Sequence, residues 1–512
     1  MSERRIGTCC IVLHSHLPWL AHHGAWPVGE EWLHQAWSAS YLPVVEMLAR
    51  LGAEDRRDLL TLGVTPVVAA QLDDPYCLRE FHTWLGFWQT RAAGLATRRE
   101  PHLRALAAYE HNNASHALDV FEAKWRHGAS PQLRSLADAG VVELLGGPAT
   151  HPFLPLLDER VAHAQLGIGL EDAARRFGRR PGGIWAPECG YRPGLEGLYA
   201  DAGARHFVVD GPTLVAGRPH RAHAHDNMAT GDAWTVGDSD VVVFGRDLDV
   251  TYRVWSPRRG YPGGRHYRDF HTFDHDSGIR PARVTSTRTP PEEKAPYDPA
   301  AGRAAVRRDA VDFVTVVRQR LIELADARGR PGVVVVAYDT ELFGHWWHEG
   351  PAFLETVLDL LPEAGVGLSS LRTAVERETV AGRIDLPEGS WGAGKDWQVW
   401  ASEQVADLTE LVASVQERLL QIVDKIEPAE PRRRHDLDQL MREGFLTMSS
   451  DWAFMVTHDS AAPYARQRAH EHARRFHALA DRIEAGRNAD RLTAELRAVD
   501  GIFGHLDARA MR

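Results

Sequence analysis

Six short apolar runs, each ending in polar residues and followed by a segment of helical character, constrain the fold of this chain most strongly. The runs cover residues 9–13, 59–63, 141–145, 183–185, 206–209 and 333–337. Buried runs that alternate with helices are typical of a parallel β-sheet. Polar residues gathered where strands end are typical of a barrel, whose active site is built at that face. The pattern therefore predicts an α/β protein with its chemistry at the strand ends.

The number of runs leaves the closure of the sheet open. Six or seven strands predict an incomplete barrel as readily as a barrel of eight strands. An open, doubly wound sheet is the alternative, although no Gly-x-Gly-x-x-Gly motif follows a predicted strand.

The composition is that of an ordinary globular protein and argues against several kinds of partner. The chain has 512 residues, a net charge of −11 and a pI near 6.2. Without a long basic run, we expect neither nucleic acid nor a membrane as a partner. The four cysteines are too few for a disulfide framework and lack the paired spacing of a zinc site. The first apolar run is too short for a secretion signal, so we expect a cytoplasmic protein.

Three changes of composition divide the chain. Residues 211–240 are rich in Gly, His, Ala and Asp, which indicates a small insertion. Residues 285–302 are charged and proline-rich, which predicts a mobile surface loop. From about residue 400 an apolar stripe recurs at helical spacing, which predicts a helical C-terminal domain.

Two carboxylates follow predicted strands directly. Glu188 comes after the run at 183–185, and Asp339 comes after the valine-rich run at 333–337. A barrel would bring both strand ends to one mouth, although the two residues lie far apart in sequence. Hydrolysis or transfer of a glycoside requires such a pair, and a separation of about 5–5.5 Å would predict retention of configuration. Ordinary polar capping of strand ends is the competing interpretation.

Histidines and tryptophans surround the same strand ends. His14, His16 and His151 follow the first and third runs, and many of the 16 tryptophans lie beside Gly, Pro, His or Asp. Imidazoles with carboxylates suit a zinc site, whereas the same imidazoles could hydrogen-bond sugar hydroxyls. Tryptophans in glycine-rich loops, such as Trp391, are suited to stacking on pyranose rings.

Five short motifs occur in an order that resembles glycoside hydrolase family 57, and within it the branching-type enzymes. They lie at residues 14–18, 146–155, 185–190, 338–345 and 448–454. Together they span nearly the whole chain. The resemblance implies an incomplete (β/α)7 barrel over residues 1–197 and 236–385. It also implies a small inserted domain over residues 198–235 and a C-terminal α-helical domain over residues 386–512, with no metal and no organic cofactor.

The resemblance also implies roles for particular residues. Glu188 would be the nucleophile and Asp339 the general acid/base of a retaining transfer on an α-glucan. Such an enzyme cleaves an α-1,4 bond and forms an α-1,6 branch. The substrate-binding residues would be His14, His16, Trp26, His151, Trp255, Trp391, Trp400 and Asp451. The sequence gives no oligomeric state.

One departure concerns the loop that covers the site in branching-type relatives and carries a tyrosine at its tip. The corresponding residues 216–228 contain no tyrosine. A histidine or arginine could replace it, or Tyr261 could reach the site; otherwise hydrolysis would compete with transfer.

Three alternative functions stay open. An α-amylase or a 4-α-glucanotransferase of the same family would use the same carboxylates. A metal-dependent hydrolase would use His14, His16 and His348 with a carboxylate. A non-catalytic glucan-binding protein would need the aromatic residues alone.

Overall fold

The computed structural model describes residues 6–511 except 27, 221–225, 257–259, 378–379 and 426–431. The strands are β1 Gly7–Ser15, β2 Leu60–Val64, β3 Val142–Leu145, β4 His206–Val209, β5 Arg218–Pro219, β6 Ala233–Val236, β7 Val242–Gly245, β8 Val333–Asp339, β9 Val366–Leu368 and β10 Val380–Asp385. Within these ranges, none of the helices combines the length and the apolar character that crossing a membrane requires.

In the first three quarters of the chain, groups of one to four α-helices lie between most of the strands, and in the last quarter the helices follow one another. They are α1 Glu30–Ala36, α2 Leu42–Ala53, α3 Pro66–Asp73, α4 Pro75–Gly94, α5 Pro101–Val120, α6 Ser130–Asp138, α7 Glu159–Phe177, α8 Leu195–Asp201, α9 Gly211–Val215, α10 Leu248–Val254, α11 Pro299–Arg328, α12 Gly350–Glu363, α13 Leu371–Glu376, α14 Gln398–Ala401, α15 Ala406–Asp424, α16 His435–Thr447, α17 Ser450–Thr457, α18 Ala462–Glu484 and α19 Asp490–Val499.

A parallel sheet forms the centre of the fold, and the prediction of an α/β protein is confirmed. Its strands run in the order β3-β2-β1-β8, and β9 pairs with the start of β1. In this register His14 of β1 lies beside Asp339 of β8 and beside Gly63 of β2. Both β1 and β8 are almost entirely buried, which explains why they are continuous apolar runs rather than alternating ones.

A second set of strands continues from the first. Strand β4 pairs in parallel with β7, which is followed by β6, β10 and β5. Residues 183–185 connect the two sets, because the amide of Gly146 donates to Gly183 (3.0 Å) and that of Ile184 donates to His206 (3.0 Å). On the other side, the amide of Asp247 after β7 donates to Val335 of β8 (2.8 Å). The strand ends that carry chemistry therefore belong to one continuous hydrogen-bonded set.

The proline-rich segment ends earlier than the sequence predicts. The irregular conformation stops at Asp298, and α11 begins at Pro299 rather than after residue 302. The Asp298 side chain accepts from the amide of Ala300 (2.8 Å), and proline is well suited to the first helical position. Composition hid this start, because the prolines that mark loops also mark helix N-termini.

The helices after residue 398 pack around α16. Eleven of its thirteen residues are buried, and α15, α18 and α19 surround it. Helix α17 follows directly and begins at Ser450, so Ser450 and Asp451 lie in its first turn. The amide of Ser450 donates to the carbonyl of His151 (3.0 Å), which ties this helix to the loop after β3.

Helix α7 supports the loop that carries His151. The Gln165 carbonyl accepts from the amide of Ala149 (2.9 Å), and the Gln165 side chain bonds both the amide and the hydroxyl of Thr150. Gly169 lets the helix approach this loop, because a Cβ there would lie 2.1 Å from the carbonyl oxygen of Gly147. The loop backbone cannot move away without displacing His151.

We therefore expect Gly169→Ala to lower the free energy of unfolding by at least the ~1–3 kcal/mol typical of overpacking. Gly167→Ala on the same helix is the matched control, since a Cβ there meets nothing within 4 Å. The control should be neutral or stabilising by about 0.5–1 kcal/mol, because alanine is the better helix former. Denaturant unfolding of both variants measures the difference; equal stabilities would contradict this description of the contact.

Candidate active site

Side chains from five distant segments meet at the C-terminal ends of the parallel strands. His14 is the second-last residue of β1, Asp339 ends β8, and His151 lies in the loop after β3. Glu188 lies in the turn after residues 183–185, and Asp451 comes from α17.

Each carboxylate oxygen of Glu188 accepts one hydrogen bond. The indole N–H of Trp391 donates to Oε2 (2.7 Å), and the Ser450 hydroxyl donates to Oε1 (2.8 Å). The backbone carbonyl of Glu188 also accepts from the amide of Trp391 (2.8 Å). The carboxylate is buried and held in one orientation.

The backbone is strained at Glu188 and at its neighbours in the site. Glu188, Cys189 and His151 have φ angles of 61°, 51° and 56°, in the left-handed region that non-glycine residues rarely adopt. Strain of this kind costs about 1–3 kcal/mol per residue and persists only where the surroundings fix the backbone. Here the hydrogen bonds to Trp391 and Ser450 fix it.

Three imidazoles form a stack beside Glu188. The ring of His16 lies 3.6 Å from that of His151, and the ring of His14 packs on Trp185 at 4.5 Å. The Nε2 atoms of His14 and His151 are 3.1 Å apart, a hydrogen-bond distance.

The tautomers follow from the last acceptor of this chain of hydrogen bonds. Ionised Glu188 only accepts, so Ser450 donates to it, and Nδ1 of His151 donates to the Ser450 oxygen (3.0 Å). Nε2 of His151 then accepts from Nε2–H of His14, which leaves Nδ1 of His14 without a partner. Burial, and after it the neighbouring imidazoles, holds the pKa of His14 well below its usual range, and burial does the same for the pKa of His151. Both imidazole rings are therefore neutral. The network points its donors toward Glu188.

A second pair closes the site from α17. Nε2 of His16 lies 2.9 Å from Asp451, and Nδ1 of His16 lies 3.0 Å from the Thr65 hydroxyl. Burial opposes ionisation of Asp451, but the charge and hydrogen bond of His16 outweigh it and lower the pKa of that carboxyl.

Burial shifts the pKa values of the two principal carboxyls upward. It raises the pKa of Glu188 to about 7, although the bond from Trp391 opposes the shift. Burial and then the charge of Glu188 raise the pKa of Asp339 to about 7. Glu341 shows the same trend, to about 8, from burial and the charge of Asp339; it accepts from the amide of His16 (3.0 Å) and from the Tyr41 hydroxyl.

A buried ion-pair network supports Trp391 from behind. The Arg246 guanidinium bonds Asp210 (2.8 Å) and lies 5.3 Å from the centre of the Trp391 ring. Lys395 bonds the other Asp210 oxygen (2.8 Å) and donates to the carbonyl of Trp391 (3.0 Å). The loop that donates to Glu188 is therefore fixed at both its ring and its backbone.

The four predicted tryptophans lie in different environments. Trp391 contacts Glu188 directly, whereas Trp400 is buried and stacks on Phe153 at 4.4 Å. Trp26 and Trp255 are 73% and 50% exposed, and Trp255 lies 5.9 Å from the ring of Trp346. The structure thus brings Trp391 together with the carboxylates and places Trp26 and Trp255 at the surface.

Sequence reasoning assigned no role to several residues of the site. Ser450 bonds both Glu188 and His151, and the signal was its place beside Asp451 in the fifth motif. Trp185 lay in the third motif and packs under His14. Arg246 and Asp210 carried no signal beyond following apolar runs.

For the metal-dependent alternative, the structure assembles one set of possible metal ligands but not the set expected from the sequence. Ligand atoms of His16, His151 and Asp451 lie within 4.8 Å of one another, so these residues could hold a cation. His348 lies away from these residues. Its ring hydrogen-bonds the Tyr109 hydroxyl (2.7 Å) and packs on Tyr297. The set of His14, His16 and His348 is therefore not assembled.

The structure describes part of the segment that corresponds to the covering loop, and it describes Tyr261. Of residues 216–228, those at 221–225 lie outside the described ranges. The Tyr261 hydroxyl donates to Asp312 of α11 (2.5 Å), and its ring packs on Phe353. Tyr261 is thus engaged on α11 in this structure.

Comparison with known families matches two regions of the chain. Residues 10–387 match the model of glycosyl hydrolase family 57. Residues 412–511 match the model described as 1,4-alpha-glucan branching enzyme, C-terminal.

Whole-chain relatives agree with these matches. A probable 1,4-alpha-glucan branching enzyme of Mycobacterium tuberculosis is 51% identical over 99% of this chain and 98% of its own length. The crystal structure of a branching enzyme of the family from Thermococcus kodakaraensis superposes with a TM-score of 0.92 at 32% identity, covering 99% of this chain and 96% of the other. An α-amylase from Thermotoga maritima superposes with a TM-score of 0.87 at 27% identity, covering 99% of both chains.

The family model covers well over half of the chain, and the site occupies the ends of its parallel strands. This chain belongs to glycosyl hydrolase family 57, and it also contains the C-terminal region described for the 1,4-alpha-glucan branching enzymes.

Proposed function

We propose that this protein is a retaining 1,4-α-glucan branching enzyme, which cleaves an α-1,4 bond and forms an α-1,6 branch through a glycosyl-enzyme on Glu188. The observation that carries the proposal is the buried Glu188 carboxylate, fixed by Trp391 and Ser450 and electrostatically coupled to Asp339. The 51% identical relative and the matching C-terminal region favour branching over other activities of the family.

In the first step, a Glu188 oxygen attacks the anomeric carbon while Asp339 protonates the departing oxygen. The raised pKa values suit this step, because burial and the charge of Glu188 raise the pKa of Asp339 to about 7 and so help it to hold a proton near neutral pH. Esterification removes the charge of Glu188, so the pKa of Asp339 falls and it becomes a base. It then takes the proton from the 6-hydroxyl of a second glucan, whose oxygen displaces Glu188. Two inversions leave the configuration retained.

The remaining site residues are proposed to bind the glucan. The imidazoles of His14, His16 and His151 would bond sugar hydroxyls by exchanging some of their present hydrogen bonds, and Asp451 would orient His16. Trp391 would meet the sugar next to Glu188, and the exposed Trp26 and Trp255 would stack on more distant units. Trp400 would act through Phe153, because it is buried.

The finer architecture is also a proposal. We propose an incomplete (β/α)7 barrel of β1, β2, β3, residues 183–185, β4, β7 and β8, supported by the hydrogen bonds that link these segments in turn. We propose the division into residues 1–197 with 236–385, 198–235 and 386–512, except that β4, which lies within 198–235, belongs with the barrel strands, so the inserted part begins after Val209.

An α-amylase is the second candidate, because an α-amylase shares the fold over the whole chain. Residues 216–228 contain no tyrosine that could cover the site. If water then reaches the glycosyl-enzyme, hydrolysis rises relative to transfer, which favours the amylase function.

Incubation with amylose should separate these functions. Reducing ends are counted before and after treatment with a debranching enzyme, and we expect new ends only after debranching. Glu188→Ala should abolish product, and Asp339→Asn should slow it by about 10²–10⁴-fold. Glu363→Ala, at an exposed site on α12, is the control. A direct rise in reducing ends would identify an amylase, and a Glu188→Ala variant with near-normal activity would contradict the mechanism.

The raised pKa of Glu188 should also appear in the stability of the protein. The folded state holds the proton more tightly than the unfolded state, so stability falls as pH rises from about 4.5 to about 7 and then levels off. Glu188→Gln removes this loss while keeping an acceptor for Trp391. The free energy of unfolding of this variant minus that of the wild type should be larger at pH 8 than at pH 5 by about 2–3 kcal/mol, which means that the variant gains stability relative to the wild type as the pH rises. Glu363→Gln should show no such pH dependence; an equal difference at both pH values would contradict the shift.

A further inference from the structure

A cavity of about 550 Å³ lies outside the catalytic constellation. Helices α1, α2, α4 and α5 form one side, and residues 268–280 and 344–352 form the other. Its lining contains neither Glu188 nor Asp339, and Trp26 stands at its rim. Its volume falls in the range of about 300–1,000 Å³ typical of small-molecule sites. We call it the side cavity.

Aromatic faces line the side cavity. Phe270 and Phe273 enclose the Arg280 guanidinium, at 4.5 and 4.6 Å from the ring centres, and Phe273 is 38% exposed. Trp84 and Trp88 of α4 contribute partly buried indoles. Flat rings of this kind pack well on the C–H faces of sugars.

Several charged side chains around the side cavity already have partners within the protein. Arg268 pairs with Glu110 (2.6 Å), and Arg280 donates to Gln35 (3.2 Å). The Trp84 indole donates to Glu31 (2.9 Å). A lining that mixes both signs of charge, with these groups engaged by the protein itself, suits a neutral polyhydroxyl ligand better than an ion.

The buried His345 side chain in the lining has a ring nitrogen without a hydrogen-bond partner among the described residues. Nδ1 of His345 has no hydrogen bond, although the residue is only 8% exposed. Burial, with Arg280 next, lowers the pKa of His345 to about 3, so the ring is neutral. A buried polar atom without a partner is costly, and a ligand hydroxyl could satisfy it only after the surrounding side chains shift, because the atom itself is not accessible to solvent.

The side cavity shares a chain segment with the catalytic site. The amide of Trp346, whose ring lines the cavity, donates to the carbonyl of Glu341 (3.0 Å), two residues after Asp339. The ring of Trp346 also lies 5.9 Å from that of Trp255.

We propose that the side cavity is a second carbohydrate site, which binds a linear α-1,4-glucan segment of a few glucose units. The identity of the sugar rests on the proposed function, whereas the cavity and its chemistry do not. The site would hold a long glucan close to the reacting carboxylates and so favour long substrates over short ones.

Titration calorimetry of maltoheptaose into full-length Glu188→Gln protein tests the proposal, because this variant should bind without turnover. We expect two oligosaccharides per chain. Adding Trp88→Ala and Phe273→Ala should leave one. Adding Phe87→Ala instead should leave two, since Phe87 is an exposed neighbour of Trp88 outside the lining.

The single variant Phe273→Ala tests the site with little risk of misfolding, because the Phe273 side chain is partly exposed. It should weaken the second binding event about tenfold with an unchanged melting temperature. In the active enzyme it should raise KM for amylose and leave turnover of short maltooligosaccharides unchanged.

A single binding event that none of the cavity variants affects would overturn the second site and leave the proposed function standing. Absence of any maltoheptaose binding would count against both, and the branching assay on wild type would then judge the function separately.

Discussion

The buried carboxylate of Glu188 requires a donor at each oxygen, and both donors come from the last quarter of the chain. Trp391 follows β10, and Ser450 begins α17. Without them the parallel strands would leave a charge buried and unpaired, which costs several kcal/mol. The site is therefore complete only when the C-terminal helices are docked. The same two contacts hold the strained backbone at Glu188, so packing and chemistry depend on one set of hydrogen bonds.

The titratable groups divide into two sets with different roles. Glu188, Asp339 and Glu341 are destabilised as anions by burial, so the fold gives up stability to keep carboxyls titrating near neutral pH. Asp451 is instead kept ionised by His16, and the neutral His14 and His151 direct donors toward Glu188. Groups whose environments separate their pKa values in this way can divide acid, base and orienting roles between them.

The sequence predicted those parts of the site that strand ends determine. His14, Glu188 and Asp339 follow buried runs, and parallel strands bring their carboxyl ends to one edge of a sheet. Ser450 could not be predicted as a partner of Glu188, because that contact depends on how α17 docks. The tryptophan pattern had the same limit: nothing in the spacing separated the buried Trp400 from the exposed Trp26. The side cavity is formed by residues from four helices and two further segments, so no local pattern marked it.

The central claim is that Glu188 carries a covalent glycosyl group during turnover. A fluorinated glucosyl fluoride forms a glycosyl-enzyme faster than the glycosyl-enzyme breaks down. The intermediate should therefore accumulate and be detectable by mass spectrometry. The account predicts one glycosyl adduct on the peptide that contains Glu188, lost when a maltooligosaccharide acceptor is added. An adduct on Asp339, or turnover of this reagent with no adduct on Glu188 at any time, would contradict it.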